Sequence, residues 1–408
     1  MSMIVENENL YNKRNQLNRQ DKEEAMKRRK RIRNGGIVVI LILLIIMSLL
    51  NMVSVKLEGV YLKGIFKTIR NHCTYISAGI VVFMFVSTRD YKKWKSKKMI
   101  GFLLLISILS LLAVVIGAKI PALKKYVPTI NGAIGWIRVA GFSIQPAEMM
   151  KLPFIIILAK LLEKGEEEKY KSLGIIANVA GIVLIYLILV MLEKDLGTTI
   201  HYIAIAVTML FMSRVSMKLI VGLSSLFIGV AGGFFYYVAF IGDKLTYGYR
   251  LRRVVSYLNG VLKNEYDLDI GYQVAQSLMA FGRGGILGEG YANGVQKYNY
   301  LPEANTDFIL ATFGEEFGFV GMLLLLFLFV LLFNNIKRTA METTDYFGKY
   351  LAIGIGGYLI TQVLINIYVA LGMLPVFGIP MPIFSAGGTS IVTIFAAMGI
   401  ILSINKQR

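Results

Sequence analysis

Near the end of a long polar stretch the chain reads Leu301-Pro302-Glu303-Ala304-Asn305-Thr306-Asp307-Phe308, and an apolar run begins at Phe308. A carboxylate at the mouth of a membrane helix is partly desolvated, which raises its pKa and suits it to general-base work. The same spacing suits helix capping, since Asn305, Thr306 or Asp307 can accept from the first free N–H groups. Glu315 and Glu316 lie deeper in the run. An intramembrane carboxylate costs roughly 2.5–3.5 kcal/mol on insertion scales, so each has a function or a partner. On one continuous helix Glu315 falls ~80° around and ~12 Å below Asp307, and Glu316 ~180° around. Glu315 is therefore expected to face the same cavity as Asp307, with pairing to a buried Lys or Arg as the alternative.

A second polar segment reads Asn131-Gly132-Ala133-Ile134-Gly135-Trp136-Ile137-Arg138, followed by Gln145-Pro146-Ala147-Glu148-Met149-Met150-Lys151. Trp136 suits a membrane interface. Glu148 and Lys151 are spaced i,i+3 and can pair; alternatively Lys151 holds a phosphate. The longest loop, 242–307, carries seven Lys or Arg, seven Asp or Glu and ten glycines, with Gly282, Gly284, Gly285, Gly288 and Gly290 clustered. Such a cluster can form flexible turns or backbone nests for phosphate, but its spacing is not that of a P-loop. The apolar run Tyr272–Phe281 argues that the loop is ordered.

The elements that must position these residues are membrane helices. Of 408 residues 56% are hydrophobic and only 17% charged, with mean hydropathy +0.62. This excludes a disordered chain, a collagen and a disulfide scaffold. A single cysteine, Cys73, and two histidines, His72 and His201, leave no His-rich zinc site and little basis for a Ser-His-Asp triad. Ten runs are long enough, or nearly so, to cross ~30 Å of hydrocarbon: 37–55, 73–88, 99–117, 149–163, 173–192, 199–213, 219–241, 308–333, 350–371 and 391–404. The expected fold is an all-α polytopic membrane protein of about ten transmembrane helices, with a large extracytoplasmic loop between helices 7 and 8. The net charge of +19 is explained by basic cytoplasmic segments rather than by nucleic acid. Residues 1–35 hold ten Lys or Arg and read as a disordered cytoplasmic tail; residues 36–408 form the membrane domain. The short loop Arg89–Lys98 carries six Lys or Arg and falls on the same side, as do both termini. Segment 56–72, with four Lys or Arg, goes against the charge rule. Seven of the eight prolines lie in the external segments 118–148, 242–307 and 372–390, so one face is shaped and the other merely connected. A site opening outward is expected.

Taken together these segments resemble the SEDS family, the RodA/FtsW/SpoVE polymerases of bacterial cell-wall synthesis. The resemblance runs from about residue 99 to 404. It rests on Trp136-Ile137 with Gln145-Pro146-Ala147-Glu148 and Lys151, on Lys194-Asp195-Leu196-Gly197-Thr198, and on Gly271-Tyr272-Gln273 with Gln276-Ser277 and Gly284-Gly285. It continues through Leu301-Pro302-Glu303, Thr306-Asp307-Phe308-Ile309 and Glu315-Glu316-Phe317-Gly318. It ends in Leu374-Pro375, Gly378-Ile379-Pro380, Pro382, Ser385 and Gly387-Gly388-Thr389-Ser390. Three positions depart from the family pattern: Gly135 where a basic residue is frequent, Asn305 where His is frequent, and the start Glu193-Lys194 of the Lys-Asp-Leu-Gly segment.

The resemblance implies a multi-pass protein of the bacterial cytoplasmic membrane. It implies an inverting glycosyltransferase that polymerises lipid II into glycan strands with a class B penicillin-binding protein. The family's essential aspartate matches Asp307, and its loop tryptophan matches Trp136. With a diphosphate leaving group on the donor sugar, the chemistry left is deprotonation of the acceptor hydroxyl and stabilisation of the departing diphosphate. Asp307 is the expected base. Lys151, Arg138, Arg250, Arg252 and Arg253 are candidates for the diphosphate, and Glu148, Gln276, Ser277, Glu303, Glu315 and Ser385 complete the expected substrate-binding set. Lipid-facing grooves would hold the polyprenyl tails. A divalent cation, Mg or Mn, can assist, although no ligand cluster demands one. Two rival readings are a flippase of lipid-linked precursor, using Glu315, Asp195 and Lys151 as a polar path, and a non-catalytic scaffold of a division or elongation complex.

Overall fold

Apolar runs of about twenty residues satisfy their backbone internally when they coil, and helices dominate the chain for that reason. The computed structural model describes residues 32–55, 62–130, 133–139, 141–222, 270–298 and 300–407, with isolated positions between 225 and 260. The first half contains α1 (Ile32–Val55), α2 (Leu62–Thr88), α3 (Lys97–Lys119), α4 (Lys151–Glu167), α5 (Ser172–Leu192) and α6 (Leu196–Phe211). The second contains α7 (Ile270–Gly284), α8 (Ile309–Glu342), α9 (Tyr346–Ala370) and α10 (Gly388–Gln407). Seven of these are long and apolar enough to cross a membrane; α4, α6 and α7 are shorter. Every expected run is found as a helix except 219–241, which lies largely outside the described residues, as do the basic tail up to residue 31 and the loop between 242 and 269 apart from isolated positions.

The helices divide into lipid-facing and central ones. Phe85, Phe102, Leu109, Leu184 and Phe327 are exposed apolar residues on α2, α3, α5 and α8, as expected where lipid replaces water. The most apolar windows of α9 and α10 are 72% and 94% buried, which places these two helices at the centre of the bundle. There α10 packs along α2, and α9 packs on α8, α4 and α6.

One end of the bundle is basic and tied by side chains. Ser96 caps α3 by accepting from Met99 N at 3.3 Å, and Asp345 caps α9 by accepting from Gly348 N at 3.2 Å. Asp345 also accepts from the Tyr91 hydroxyl, Lys95 Nζ donates to Glu163 at 2.6 Å, and Ser403 donates to the Arg89 carbonyl. The opposite end is built from irregular chain. A two-stranded hairpin, β1 (Ile137–Val139) and β2 (Phe142–Ile144), pairs Arg138 with Ser143 across a turn at Gly141, where φ is 84°. Tyr75 of α2 holds the hairpin, its hydroxyl donating to Ser143 O at 3.0 Å and accepting from Ser143 N at 2.9 Å.

The glycine cluster has a packing role. Gly318, at φ 62°, breaks α8, and a broken helix leaves carbonyls and amides without partners. The segment after α7 supplies them. Glu289 N and Gly290 N donate to the carbonyls of Glu315 and Glu316 at 2.9 and 3.0 Å, while Phe319 N and Val320 N donate to Gly285 O and Ile286 O at 3.0 and 3.1 Å. A Cβ on Gly288 would overlap the Glu316 carbonyl, so only glycine allows this approach. The cluster thus forms backbone partners for an interrupted helix, neither a phosphate nest nor a flexible turn.

Candidate active site

At the irregular end a cavity of about 370 Å³ is enclosed by four segments: the hairpin region, the α5–α6 turn, the turn before α8, and the loop between α9 and α10. Trp136, Arg138, Gln145, Asp195, Glu303 and Asp307 are on its wall.

Local chain geometry explains how Asp307 reaches that wall. Glu303 adopts φ 55°, in the left-handed region, and its carbonyl accepts from Thr306 N at 3.0 Å and Phe308 N at 3.3 Å. This tight turn ends at Phe308, the cap position of α8, so Asp307 stands one residue outside the helix. The Asp307 side chain is half-buried and its Oδ2 lies near Gly378. Two residues fix the turn from behind. Asn366 of α9 donates to Asp307 O at 3.0 Å and to Ile379 O at 2.8 Å. Ser385 donates to Thr306 O at 2.6 Å and accepts from Met381 N at 2.8 Å.

Asp195 comes from the opposite wall. It caps α6, accepting from Thr198 N at 2.9 Å and Thr198 Oγ1 at 2.8 Å, and it accepts from Gln145 Nε2 at 2.9 Å. A Cβ on Gly197 would overlap the Phe377 carbonyl, so glycine there lets the start of α6 close against the α9–α10 loop. Beneath Asp195, Glu193 is fully buried, and neither of its carboxyl oxygens has a hydrogen-bond partner among the described residues. Burial, and secondarily the nearby Asp195 charge, push its pKa up to about 9.

Of the residues expected from sequence, Asp307, Trp136, Arg138 and Glu303 are brought together on this wall. Others are placed elsewhere. Lys151 is buried and forms an ion pair with Glu148, also buried, so neither is on the cavity wall and the Lys151 charge is already matched. Glu315 faces the segment after α7, where it accepts from Val295 N and Gln296 N at 3.0 Å. The helical-wheel placement beside Asp307 does not hold, because Asp307 precedes α8 and is not in helical register with it. Ser277 donates to Ala370 O at 2.6 Å, and neither it nor the buried Gln276 is on the wall; Ser385 is buried behind the wall. Arg250, Arg252 and Arg253 lie outside the described residues.

Sequence reasoning left Gln145, Lys194, Asp195 and Thr306 out of the expected site, yet all four line the cavity. All four stand inside motifs that carry the resemblance, and Lys194 also stands where the chain departs from the family pattern. Among the described residues no group of three His, Cys, Asp or Glu side chains is placed to hold a metal ion. On the wall, Asp195 accepts from Gln145 and Thr198.

The FtsW/RodA/SpoVE family model, described as "Cell cycle protein", matches residues 35–408. The chain belongs to this family. Stage V sporulation protein E of Bacillus subtilis is 35% identical over 335 residues, covering 81% of this chain and 85% of that one. A probable peptidoglycan glycosyltransferase FtsW from Coxiella burnetii is 36% identical over 340 residues, covering 82% and 85%. The fold is also that of solved relatives. A chain of a structure titled for the coordination of polymerization and crosslinking by a peptidoglycan synthase complex superposes with TM-score 0.72 at 23% identity, covering 91% of this chain and 97% of that one. The Thermus thermophilus rod shape determining protein RodA gives 0.62 at 22% identity, covering 91% and 96%. This SEDS chain is accordingly a predominantly helical, multi-pass membrane protein.

Proposed function

We propose that this SEDS protein is a peptidoglycan glycosyltransferase that polymerises lipid II into glycan strands. The observation that carries the reading is the Asp307 carboxylate on the wall of a cavity shared with Trp136 and Arg138. Lipid II carries its sugar on a diphosphate, so C1 of the donor is already activated. Asp307 takes the proton of the acceptor's 4-hydroxyl, whose oxygen attacks C1 from the face opposite the diphosphate. The C1–O bond breaks with its electron pair going to the diphosphate, and the configuration inverts. Arg138 meets the developing phosphate charge. The ring of Trp136 offers an apolar face to a sugar.

The rigid backbone support of Asp307 by Asn366 and Ser385 suits this chemistry, because a base must hold its position within about 1 Å to avoid large losses in rate. The flippase reading needs a polar path through the bundle, whereas Lys151 and Glu315 are each satisfied in place by Glu148 and by backbone amides. The basic end, with Arg89–Lys98, lies in the cytoplasm with both termini, and the cavity opens outward. The partner is a class B penicillin-binding protein, and residues 1–35 form a cytoplasmic tail that engages anionic lipid.

The test is lipid II polymerisation by pure protein in detergent, with and without the penicillin-binding protein. Strands of increasing length are expected; translocation of lipid II across vesicles with no strand product would overturn the reading. Orientation is tested by a cysteine at Lys263 in a Cys73→Ser background. Labelling from outside intact cells is expected, and labelling only after permeabilisation would invert the topology.

A further inference from the structure

The α5–α6 turn places Glu193, Lys194 and Asp195 in three different environments. Lys194 adopts φ 64°, a left-handed conformation that a lysine seldom takes and that persists where surrounding structure enforces it. The enforcing contacts are visible. Lys194 N donates to Met191 O at 3.0 Å, Asp195 N to Val190 O at 3.4 Å, and Ile134 N to Glu193 O at 2.9 Å. The turn sends Glu193 into the protein, Asp195 to the α6 cap, and Lys194, which is exposed, onto the cavity wall.

The charges at this turn do not cancel locally. Asp195 is taken up by Gln145 and Thr198. Glu193, buried and with its pKa pushed up, is uncharged at neutral pH. No carboxylate oxygen lies within ion-pair distance of Lys194 among the described residues, whereas the buried lysines Lys151 and Lys297 each have one. Arg138 has no ion-pair partner among the described residues either. Two cations without acidic partners among the described residues therefore share the cavity wall with Asp307. A diphosphate has the charge and the several acceptor oxygens that suit two such donors.

We propose that Lys194, together with Arg138, binds the diphosphate of the polyprenyl-linked donor sugar and takes up its charge as the bond to C1 breaks. The inference rests on the glycosyltransferase reading and names a residue for its leaving group. The test is binding of undecaprenyl diphosphate to the full-length protein in detergent, which requires no turnover. Lys194→Gln removes the charge, Lys194→Gly removes it at a backbone conformation glycine prefers, and Lys194→Arg keeps it. The Gln and Gly variants are expected to bind about tenfold more weakly and Arg within about twofold of the parent, the scale of one charge-assisted contact. Wild-type affinity in Gln or Gly, or an equal loss in Arg, would overturn the proposal. Inorganic diphosphate is the second probe, and binding as tight as that of the lipid would show that the site reads a free anion and not the donor. In polymerisation, Lys194→Gln is expected to raise the lipid II concentration needed for half-maximal rate; an unchanged requirement would count against it. A wild-type protein that binds undecaprenyl diphosphate but makes no strands would sink the polymerase reading and leave Lys194 as an anion-binding residue.

Discussion

Asp307 and Glu316 are carboxylates on one short stretch of chain, yet the fold handles them in opposite ways. Glu316 is buried and accepts from Lys297 Nζ at 2.7 Å, from Ala292 N at 3.1 Å and from the Ser54 hydroxyl. Its neighbour Glu315 is buried too and is held by backbone amides. Asp307 is half-buried, and the effort of the structure goes into its backbone, gripped by Asn366, so that the carboxylate faces a cavity. An intramembrane carboxylate is therefore not a catalytic signal by itself. Where its oxygens point, and what else lines the space they face, separates a base from a brace.

The largest effect should follow from breaking the Asp307 side. Asp307→Asn keeps size and shape but removes the proton acceptor, and loss of a general base costs roughly 10²–10⁴ in rate. Asp307→Glu keeps the charge but moves it by one methylene, so partial activity at most is expected, since ~1 Å of misplacement can cost ~100-fold. Strand product from lipid II, measured with matched amounts of folded protein, checks both. An Asn variant polymerising near the wild-type rate would remove Asp307 from the mechanism.

The Glu316 side should break differently. Lys297→Met leaves a buried carboxylate without its cation, a change that typically costs ~3–5 kcal/mol in stability. The expected result is a large fall in unfolding temperature and in yield, with rate per folded molecule little changed. Adding Glu316→Leu should recover much of the loss, because an apolar pair can replace a buried ion pair. Thermal unfolding in detergent of the single and double variants is the measurement. A double variant no more stable than the single would mean that the Glu316 bonds to Ala292 and Ser54 matter more than its charge.

Much of this contrast was legible in the sequence and part of it was not. Hydropathy placed the helices because a bilayer demands long apolar runs, and the order of short motifs pointed to Asp307 and Trp136. Helical geometry misjudged Glu315, because the turn at Pro302 and the left-handed Glu303 delays the start of α8 until after Asp307 and no wheel extends back across that turn. The glycines around Gly284 looked like a loop because their partner, the interruption at Gly318, lies on another helix and its backbone needs are not written in side chains. Lys151 looked available for phosphate although its i,i+3 neighbour Glu148 already suggested pairing; burial decides between the two, and burial belongs to the whole bundle. Lys194 is absent from the expected site because its placement depends on a left-handed turn between two helices.

The smallest effect concerns Glu193, a third kind of carboxyl, buried and with neither cation nor backbone donor among the described residues. Its folded pKa is pushed up to about 9, against 4.5 for an ordinary glutamate. Between these values the unfolded chain releases a proton that the folded protein keeps, so stability falls as pH rises through that window. Glu193→Gln carries no such proton. The variant should gain on wild type as pH rises between about pH 5 and 8.5, by about 2–4 °C in unfolding temperature per pH unit, the response of a large domain to ~1 kcal/mol. Thermal unfolding in detergent across that range is the measurement. A variant that loses stability steadily toward high pH would mean that Glu193 is ionised in the folded protein. It would then offset the Lys194 charge, and the cavity wall would hold one less uncompensated cation for a diphosphate.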